Sequence, residues 1–192
     1  MDDENIVQAL GVVPKPLQKP HRPIFQPFAS SENTIRWCAR ENVTAILPPM
    51  RTERQNRLYD VYREEAAANG RAVTPGEGLG VLRAVIVCDS DEEAQHWWRY
   101  GAAFCGAAWF APFHFGDVLR DPSGEALTPE QMLTNGTVLV GSVPTVRKQM
   151  EQLLAQTPVE WIFAWMYSGL IPHAVNMKSI ELFKTQVLPA FE

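Results

Sequence analysis

Residues 23–40, PIFQPFASSENTIRWCAR, join a short apolar run to the beginning of a helical pattern. The apolar run ends at Ser30 and Ser31, and the helical pattern starts at Glu32 and has Ile35 among its apolar positions. Serine is a preferred residue just before a helix, and an acidic residue is favourable in the first turn. The stretch therefore predicts a strand that hands over directly to a helix.

The same alternation continues along the chain. Compact apolar runs predict three further strands, in VTAILPPM (43–50), GLGVLRAVIVCDS (78–90) and VEWIFAWMYSG (159–169). Helical patterns separate and follow them, in TERQNRLYDVYREEAAANG (52–70), from Asp91 onward, in TVRKQMEQLLAQT (145–157) and in NMKSIELFKTQVLPAF (176–191). Continuous apolar strands between helices are typical of a parallel sheet that is covered on both faces. The sequence therefore predicts an α/β fold made of parallel βα units.

Two helix starts carry a more specific expectation. Thr52 is a good N-cap for the helix that follows the second strand, and Gly70 closes that helix. Ser142 is expected to cap the helix of the fourth unit, with Pro144 in its first turn, where a missing N–H does no harm.

Composition and charge limit the function classes. The chain has 192 residues, of which 46% are hydrophobic and 20% charged, which suits one domain with a real core. Its net charge of -5 and the absence of a long basic run argue against binding to nucleic acid or to an anionic membrane surface. The acidic start MDDENIVQALG lacks the pattern of a signal peptide, and no stretch approaches the roughly 20 apolar residues of a membrane span. A cytoplasmic location is expected.

The three cysteines predict neither a disulfide framework nor a metal knuckle. Cys38, Cys88 and Cys105 are odd in number, widely spaced and set among apolar residues. This pattern favours buried, reduced thiols that serve core packing. No metal site is expected.

The junction at residues 29–35 is the candidate ligand site. In parallel α/β sheets, ligands bind at the carboxyl ends of the strands, on the loops that lead into the helices. The free N–H groups of a helix start, together with the hydroxyls of Ser30, Ser31 and Thr34, are suited to a phosphate. The alternative is that Ser31 is an ordinary helix cap, and Glu32 argues mildly against an anion there.

Four segments, in order, carry a resemblance to a known family. They are PKPLQKPHRPIF (14–25), SSENTIRWCAR (30–40), GTVLVGSVPTVRKQMEQLL (136–154) and KSIELFKTQVLPAF (178–191). Together they resemble the carboxyl-terminal half of the luciferase-like flavin-dependent monooxygenases, over nearly the whole chain.

The resemblance implies the carboxyl-terminal half of a TIM (β/α)₈ barrel that binds reduced flavin mononucleotide (FMN) and uses O₂ to oxygenate a small organic substrate. Coenzyme F420, which some relatives use, is the alternative cofactor, and a flavin reductase is an implied partner. Ser31 and Thr34 match the phosphate-binding residues of the family, Ser30 is adjacent to them, and Trp37 marks the register.

The resemblance leaves the amino-terminal half of the barrel unmatched. Residues 1–192 are expected to form a single luciferase-like domain that lacks this half, and the start at Met1 resembles an internal position in a longer chain. Half a barrel leaves strand edges and an apolar face uncovered. Another chain could supply the missing half, two copies could pair, or the chain could be a fragment.

The alternatives to an active enzyme follow from that gap. One is a flavin- or phosphate-binding half-barrel without turnover, or a subunit that needs a partner chain. Another is a barrel fragment with only a structural role. The resemblance assigns no catalytic residue, because the flavin carries the difficult chemistry.

The last predicted strand brings further candidates. Met166, Tyr167 and Ser168 lie at its ligand end and could wall the flavin or the substrate. His173 follows on the next loop, where capping of the last helix is favoured over donation to substrate. Trp161, Phe163 and Trp165 alternate along the strand and are expected in the core.

The aromatic segment 97–121, WWRYGAAFCGAAWFAPFHFGDVLRD, has two interpretations. It suits either a lid over an apolar substrate or a pair of helices that forms a dimer.

Overall fold

The structure is a computed structural model that describes residues 11, 14–104 and 123–191. Within these residues the chain alternates strands and helices for most of its length. The elements are β1 (Phe25–Gln26), α1 (Glu32–Glu41), β2 (Thr44–Leu47), α2 (Thr52–Ala68), β3 (Leu79–Cys88), α3 (Asp91–Phe104), α4 (Pro129–Thr134), β4 (Val138–Ser142), α5 (Val143–Gln156), β5 (Trp161–Trp165) and α6 (His173–Leu182). A π-helical turn, Phe183–Val187, and a 3₁₀ turn, Leu188–Ala190, continue α6.

The five strands of the described chain form one parallel sheet, centred on β3. β1 pairs with β2, and β2 pairs with the first residues of β3. β4 pairs with residues 84–88 of β3 and β5 pairs with residues 80–84. Ala84 bridges to both β4 and β5, so these two strands lie on opposite sides of β3. The predicted parallel βα units are confirmed, but β5 lies beside β3 and not beside β4, its neighbour in sequence.

The sheet curls strongly, as half a barrel does. Phe25 of β1 lies edge-to-face with Trp161 and Phe163 of β5, with ring centroids 5.2 and 5.5 Å apart, although β2 and β3 run between them. Gly80 makes this approach possible, because a Cβ there would lie 2.5 Å from Ile46 Cδ1 and 3.0 Å from Trp161 Cβ. The predicted half-barrel is therefore confirmed as the fold.

Helices cover both faces of β3. On one face, Leu79 and Val81 pack in a core with α1 and α2, and Val85 and Val87 pack in a second core with α5 and the π-helical turn. On the concave face, Ile86 and Cys88 belong to a third core, with α3 and α4. This cover on both sides explains why β3 is apolar at almost every position.

Two predictions about individual residues are wrong. Thr52 is the first helical residue of α2, and Arg51 occupies the N-cap position without a side-chain cap. Trp161 and Phe163 are not in the core: they remain 41% and 38% exposed, because they project from a concave face that no further strand of the described chain covers.

The prediction of buried thiols without a disulfide is confirmed for the two cysteines that the structure describes. Cys38 and Cys88 are buried and free, and burial raises the pKa of each thiol to about 11. Cys105 and most of the aromatic segment 97–121 lie outside the described residues. No helix in the described ranges combines the length and the apolar character that crossing a membrane requires.

Candidate functional site

The junction between β1 and α1 is a capped turn, as predicted. Phe28 has a φ of 52°, a left-handed conformation that a residue with a bulky side chain rarely adopts, and Ser31 is the N-cap of α1. The Thr34 amide donates to Ser31 Oγ at 3.2 Å, and the two hydroxyl oxygens share a hydrogen bond of 2.9 Å. The chain therefore places both predicted hydroxyls at the very start of the helix.

This turn is open to solvent. Ser31 is exposed, and Ser30 and Thr34 are half-buried. The first amides of a helix have no acceptor within it, so the N–H groups of Glu32 and Asn33 point toward the same space. An anion therefore has access to hydroxyl and amide donors at this point.

Arginines reduce the cost that Glu32 imposes on an anion. The Glu32 carboxylate lies 3.7 Å from the Arg36 guanidinium and 3.5 Å from that of Arg57. Arg54 Nη2 donates to the Ser30 carbonyl at 3.3 Å, which holds a further positive charge beside the turn. Arg54 was not among the predicted site residues, although Arg51, Arg54 and Arg57 recur every three residues and hence lie on one side of the helix start.

The start of α5 has the same Ser-x-x-Thr pattern, but a carboxylate of the chain itself occupies the position where an anion would bind. The Asp91 carboxylate accepts from the Ser142 amide at 2.6 Å and from Thr145 Oγ1 at 2.9 Å. The hydrogen bond from the Ser142 amide is the main cause that holds the pKa of Asp91 below its usual range. A Cβ at Gly141 would lie 2.9 Å from Asp91 Oδ1, so glycine lets the carboxylate approach. Ser142 is the N-cap of α5 and Pro144 lies in the first turn, as predicted, but the Ser142 hydroxyl accepts no hydrogen bond from the amides of that turn.

A second candidate region lies where β5 ends. Met166 and Tyr167 line a cavity on the concave side of the sheet, together with Leu82 and Ala84 of β3. Since parallel strands end at the same edge of a sheet, this region and the β1–α1 turn lie at the same edge. His173 is the exposed first residue of α6 and is not among the residues that line the cavity. The structure thus brings Met166 and Tyr167 together and leaves His173 apart from them.

The cavity is almost wholly apolar. Its volume is about 80 Å³. The Oγ of Ser168, which lines it, is buried without a hydrogen-bond partner. In the part of the chain that the structure describes, no group of three or more His, Cys, Asp or Glu residues is arranged to hold a metal ion.

The fold is similar to that of solved structures about twice as long. Monooxygenase RslO1 from Streptomyces bottropensis matches with a TM-score of 0.75 and 18% identity, over 94% of this chain and 51% of that one. The oxygenating constituent of 3,6-diketocamphane monooxygenase from Pseudomonas putida, a type II Baeyer-Villiger monooxygenase in complex with FMN, matches with a TM-score of 0.66 and 22% identity, over 87% and 47%. The coenzyme F420 dependent tetrahydromethanopterin reductase from Methanopyrus kandleri matches with a TM-score of 0.52 and 16% identity, over 88% and 51%.

These likenesses bear on the fold. The resemblance to luciferase-like flavin-dependent monooxygenases is confirmed at that level, and this chain spans about half the length of the structures it matches. No family model and no curated protein matches the sequence.

Proposed function

We propose that this chain is the phosphate-binding half of a luciferase-like monooxygenase, in which reduced FMN and O₂ oxygenate a small organic substrate. The observation that carries the proposal is the open start of α1, where Ser31 and Thr34 present hydroxyls at the carboxyl edge of a parallel sheet. A solved structure of similar fold holds FMN.

The residues at the turn fit a phosphate group. The hydroxyls of Ser31 and Thr34 and the amides of Glu32 and Asn33 would donate to its oxygens, and the positive end of the α1 dipole favours its charge. Arg54, which already lies against the Ser30 carbonyl, adds a cation at the rim. One of the two hydroxyls donates to the other in the structure, and it would turn toward the phosphate on binding.

The flavin supplies the redox chemistry: when bound in its reduced form, it provides the electrons for O₂ activation. The part of this chain is to fix the phosphate end and to offer an apolar wall at the end of β5. Met166 and Tyr167 belong to that wall. His173 on α6 is a candidate donor of a hydrogen bond to the substrate. Structures of similar fold name FMN in one case and coenzyme F420 in another, so binding should be measured for both cofactors.

The exposed part of β5 favours a second candidate function, a subunit that acts only with a partner. Trp161 and Phe163 leave apolar surface on the concave face, and the chain spans about half of the structures it matches. A second copy or another chain would bury this surface, within a domain of which residues 1–192 form the carboxyl-terminal half. The molar mass in solution, with and without FMN, distinguishes a monomer from a paired form.

The phosphate assignment is tested by comparing FMN with riboflavin, which lacks the phosphate. We expect the double substitution Ser31→Ala and Thr34→Val to weaken FMN binding by at least about tenfold, since charge-assisted hydrogen bonds are each worth ~1.5–3 kcal/mol. Riboflavin binding should not change. The measurement is flavin fluorescence quenching at fixed ionic strength.

The chain offers a matched control for this experiment. Ser142→Ala with Thr145→Val makes the same two changes at the start of α5, where Asp91 fills the position of an anion. This control should leave the FMN affinity unchanged. Equal loss in both double variants, or equal loss of FMN and riboflavin, would remove the assignment. Oxygen consumption with a flavin reductase and added substrate then separates a catalyst from a binding protein.

A further inference from the structure

We infer that the cavity at the end of β5 binds a small, uncharged, largely apolar molecule with one hydrogen-bonding group, which Ser168 Oγ recognises. The inference rests on the proposed function where it takes this molecule to be the substrate. The cavity itself lies on the concave side of the sheet, between β3, the end of β5 and helices α3 and α4.

The wall of the cavity excludes charge. None of the described residues that line it is a lysine, arginine, histidine, aspartate or glutamate. Aliphatic, aromatic and thioether groups form most of the wall instead, among them Trp98, Met132, Trp165 and Met166. Burying an ion without a partner carries a heavy penalty, so an anionic or cationic ligand is rejected here.

The polar groups in the wall are mostly bonded within the protein. Trp98 Nε1 donates to the Pro129 carbonyl at 3.0 Å, and Trp165 Nε1 donates to the Tyr167 carbonyl at 2.8 Å. Because these indole donors are already engaged, they offer a ligand their ring faces and not their N–H groups.

Ser168 differs from these residues. Its backbone is fixed, because its carbonyl accepts from the Ile171 amide at 3.1 Å and from Asn176 Nδ2 at 3.2 Å. Its hydroxyl is buried and has no partner. A hydroxyl can both donate and accept, and a buried one without a partner is unfavourable. Because the oxygen has almost no accessible surface, it would have to turn into the cavity by rotation about χ1, and a ligand with a hydroxyl or a carbonyl would then satisfy it.

The size of the cavity limits the ligand. The cavity volume of about 80 Å³ is about half of the roughly 150 Å³ that holds benzene in an engineered apolar cavity. A ligand of one ring or a short chain therefore fits with one end inside, and its remainder lies in the mouth. Gly101 packs directly against Ser168, since a Cβ there would lie 3.0 Å from Ser168 Oγ and 3.4 Å from Ile171 Cδ1.

Three probes of the same shape test the inference without flavin. They are p-cresol, toluene and 4-methylbenzoate, titrated into the full chain and followed by calorimetry. We expect p-cresol to bind about fivefold more tightly than toluene, the ratio that one net hydrogen bond gives. No binding of 4-methylbenzoate should be detected, because its charge finds no partner.

Two variants identify the residue responsible. Ser168→Ala should abolish the preference for p-cresol and leave toluene binding intact, whereas Ser142→Ala removes the same atom outside the cavity and should change neither. Gly101→Val should abolish binding of both molecules, because its side chain enters the cavity. Melting temperatures show which variants fold. If Gly101→Val does not fold, the result for Ser168→Ala alone tests the inference.

Two results would overturn the inference. One is that neither p-cresol nor toluene binds at millimolar concentration. The other is that Ser168→Ala keeps the preference for p-cresol, which would mean that the hydroxyl does not recognise the ligand. Either result would leave the proposed FMN site unaffected. The Ser31→Ala and Thr34→Val variant should bind p-cresol normally, so the cavity proposal and the FMN proposal can be tested independently.

Discussion

Two helices of the described chain begin with the same pattern, a serine at the N-cap and a threonine three residues later, yet their first turns differ. At α5, the Asp91 carboxylate accepts from the Ser142 amide and from Thr145 Oγ1. At α1, the hydroxyls of Ser31 and Thr34 bond, among the described residues, only to each other and to the Thr34 amide, and the turn is open to solvent. The fold fills one helix start and leaves the other accessible.

The difference teaches that the spacing alone does not identify a ligand site. A helix start favours a negative charge wherever it occurs. Where the chain provides that charge, as with Asp91, the interaction joins two βα units and is structural. Where the chain provides cations instead, as with Arg54 beside the Ser30 carbonyl, a ligand has to bring the negative charge.

Of the substitutions considered, removal of the Asp91 carboxylate at the start of α5 should have the largest effect on the stability of the chain. We expect Asp91→Ala to lower the free energy of unfolding by about 2 kcal/mol, because hydrogen bonds to a charged group are lost and the Ser142 amide is left without its acceptor. The melting temperature should fall by roughly 4–8 °C for a chain of this size. Glu92→Ala, an exposed acidic residue in the same turn, is the matched control and should change it by less than about 2 °C.

The difference in stability between the wild type and Asp91→Ala should depend on pH. The pKa of Asp91 in the folded chain is lowered, so its stabilising effect is fully present above the unfolded value of about 3.9 and is lost as the pH falls through the folded value. The gap in stability between the wild type and Asp91→Ala should therefore be constant near pH 7 and narrow below about pH 4. A gap that stays constant to pH 2 would show that the charge of Asp91 is not what stabilises the turn.

Local signals in the sequence were sufficient for the α1 junction. The apolar run, the serine and the acidic first turn act within a few residues, so the start of α1 at Glu32 follows from sequence alone. The α4 helix was missed although its signal was also local. Thr128, Pro129 and Gln131 form a capping box with proline in the first turn, and both reciprocal hydrogen bonds are present.

Other features depend on contacts that sequence does not display. The acceptor at the start of α5 comes from Asp91, some fifty residues earlier, so a prediction based on Ser142 and its neighbours could not find it. The exposure of Trp161 depends on which strand lies over the concave face, and not on the alternation within β5. Ser168 shows the same limit, since only the packed structure reveals that its hydroxyl lacks a partner.

A smaller effect should come from the cation at the open helix start. We expect Arg54→Gln to weaken FMN binding about threefold to fivefold at low salt and less at high salt, because an exposed charge is screened. Riboflavin binding should be unaffected, since it carries no phosphate. Arg51→Gln, at an exposed arginine three residues earlier, serves as the control. An equal loss in both variants would mean that Arg54 acts only through the net charge of the chain.

The smallest effect should come from the acidic residue at the open helix start. Glu32→Gln removes a negative charge from the first turn of α1, but that charge is already balanced by Arg36 and Arg57 at 3.7 and 3.5 Å. We therefore expect FMN binding to strengthen by only about twofold to threefold, chiefly at low salt. Glu41→Gln, at the other end of the same helix, removes an equal charge away from the turn and should leave the affinity unchanged. If Glu32→Gln instead weakened FMN binding, the Glu32 carboxylate would be orienting the arginines that hold the phosphate, and the open turn would be more preorganised than its hydroxyls alone indicate.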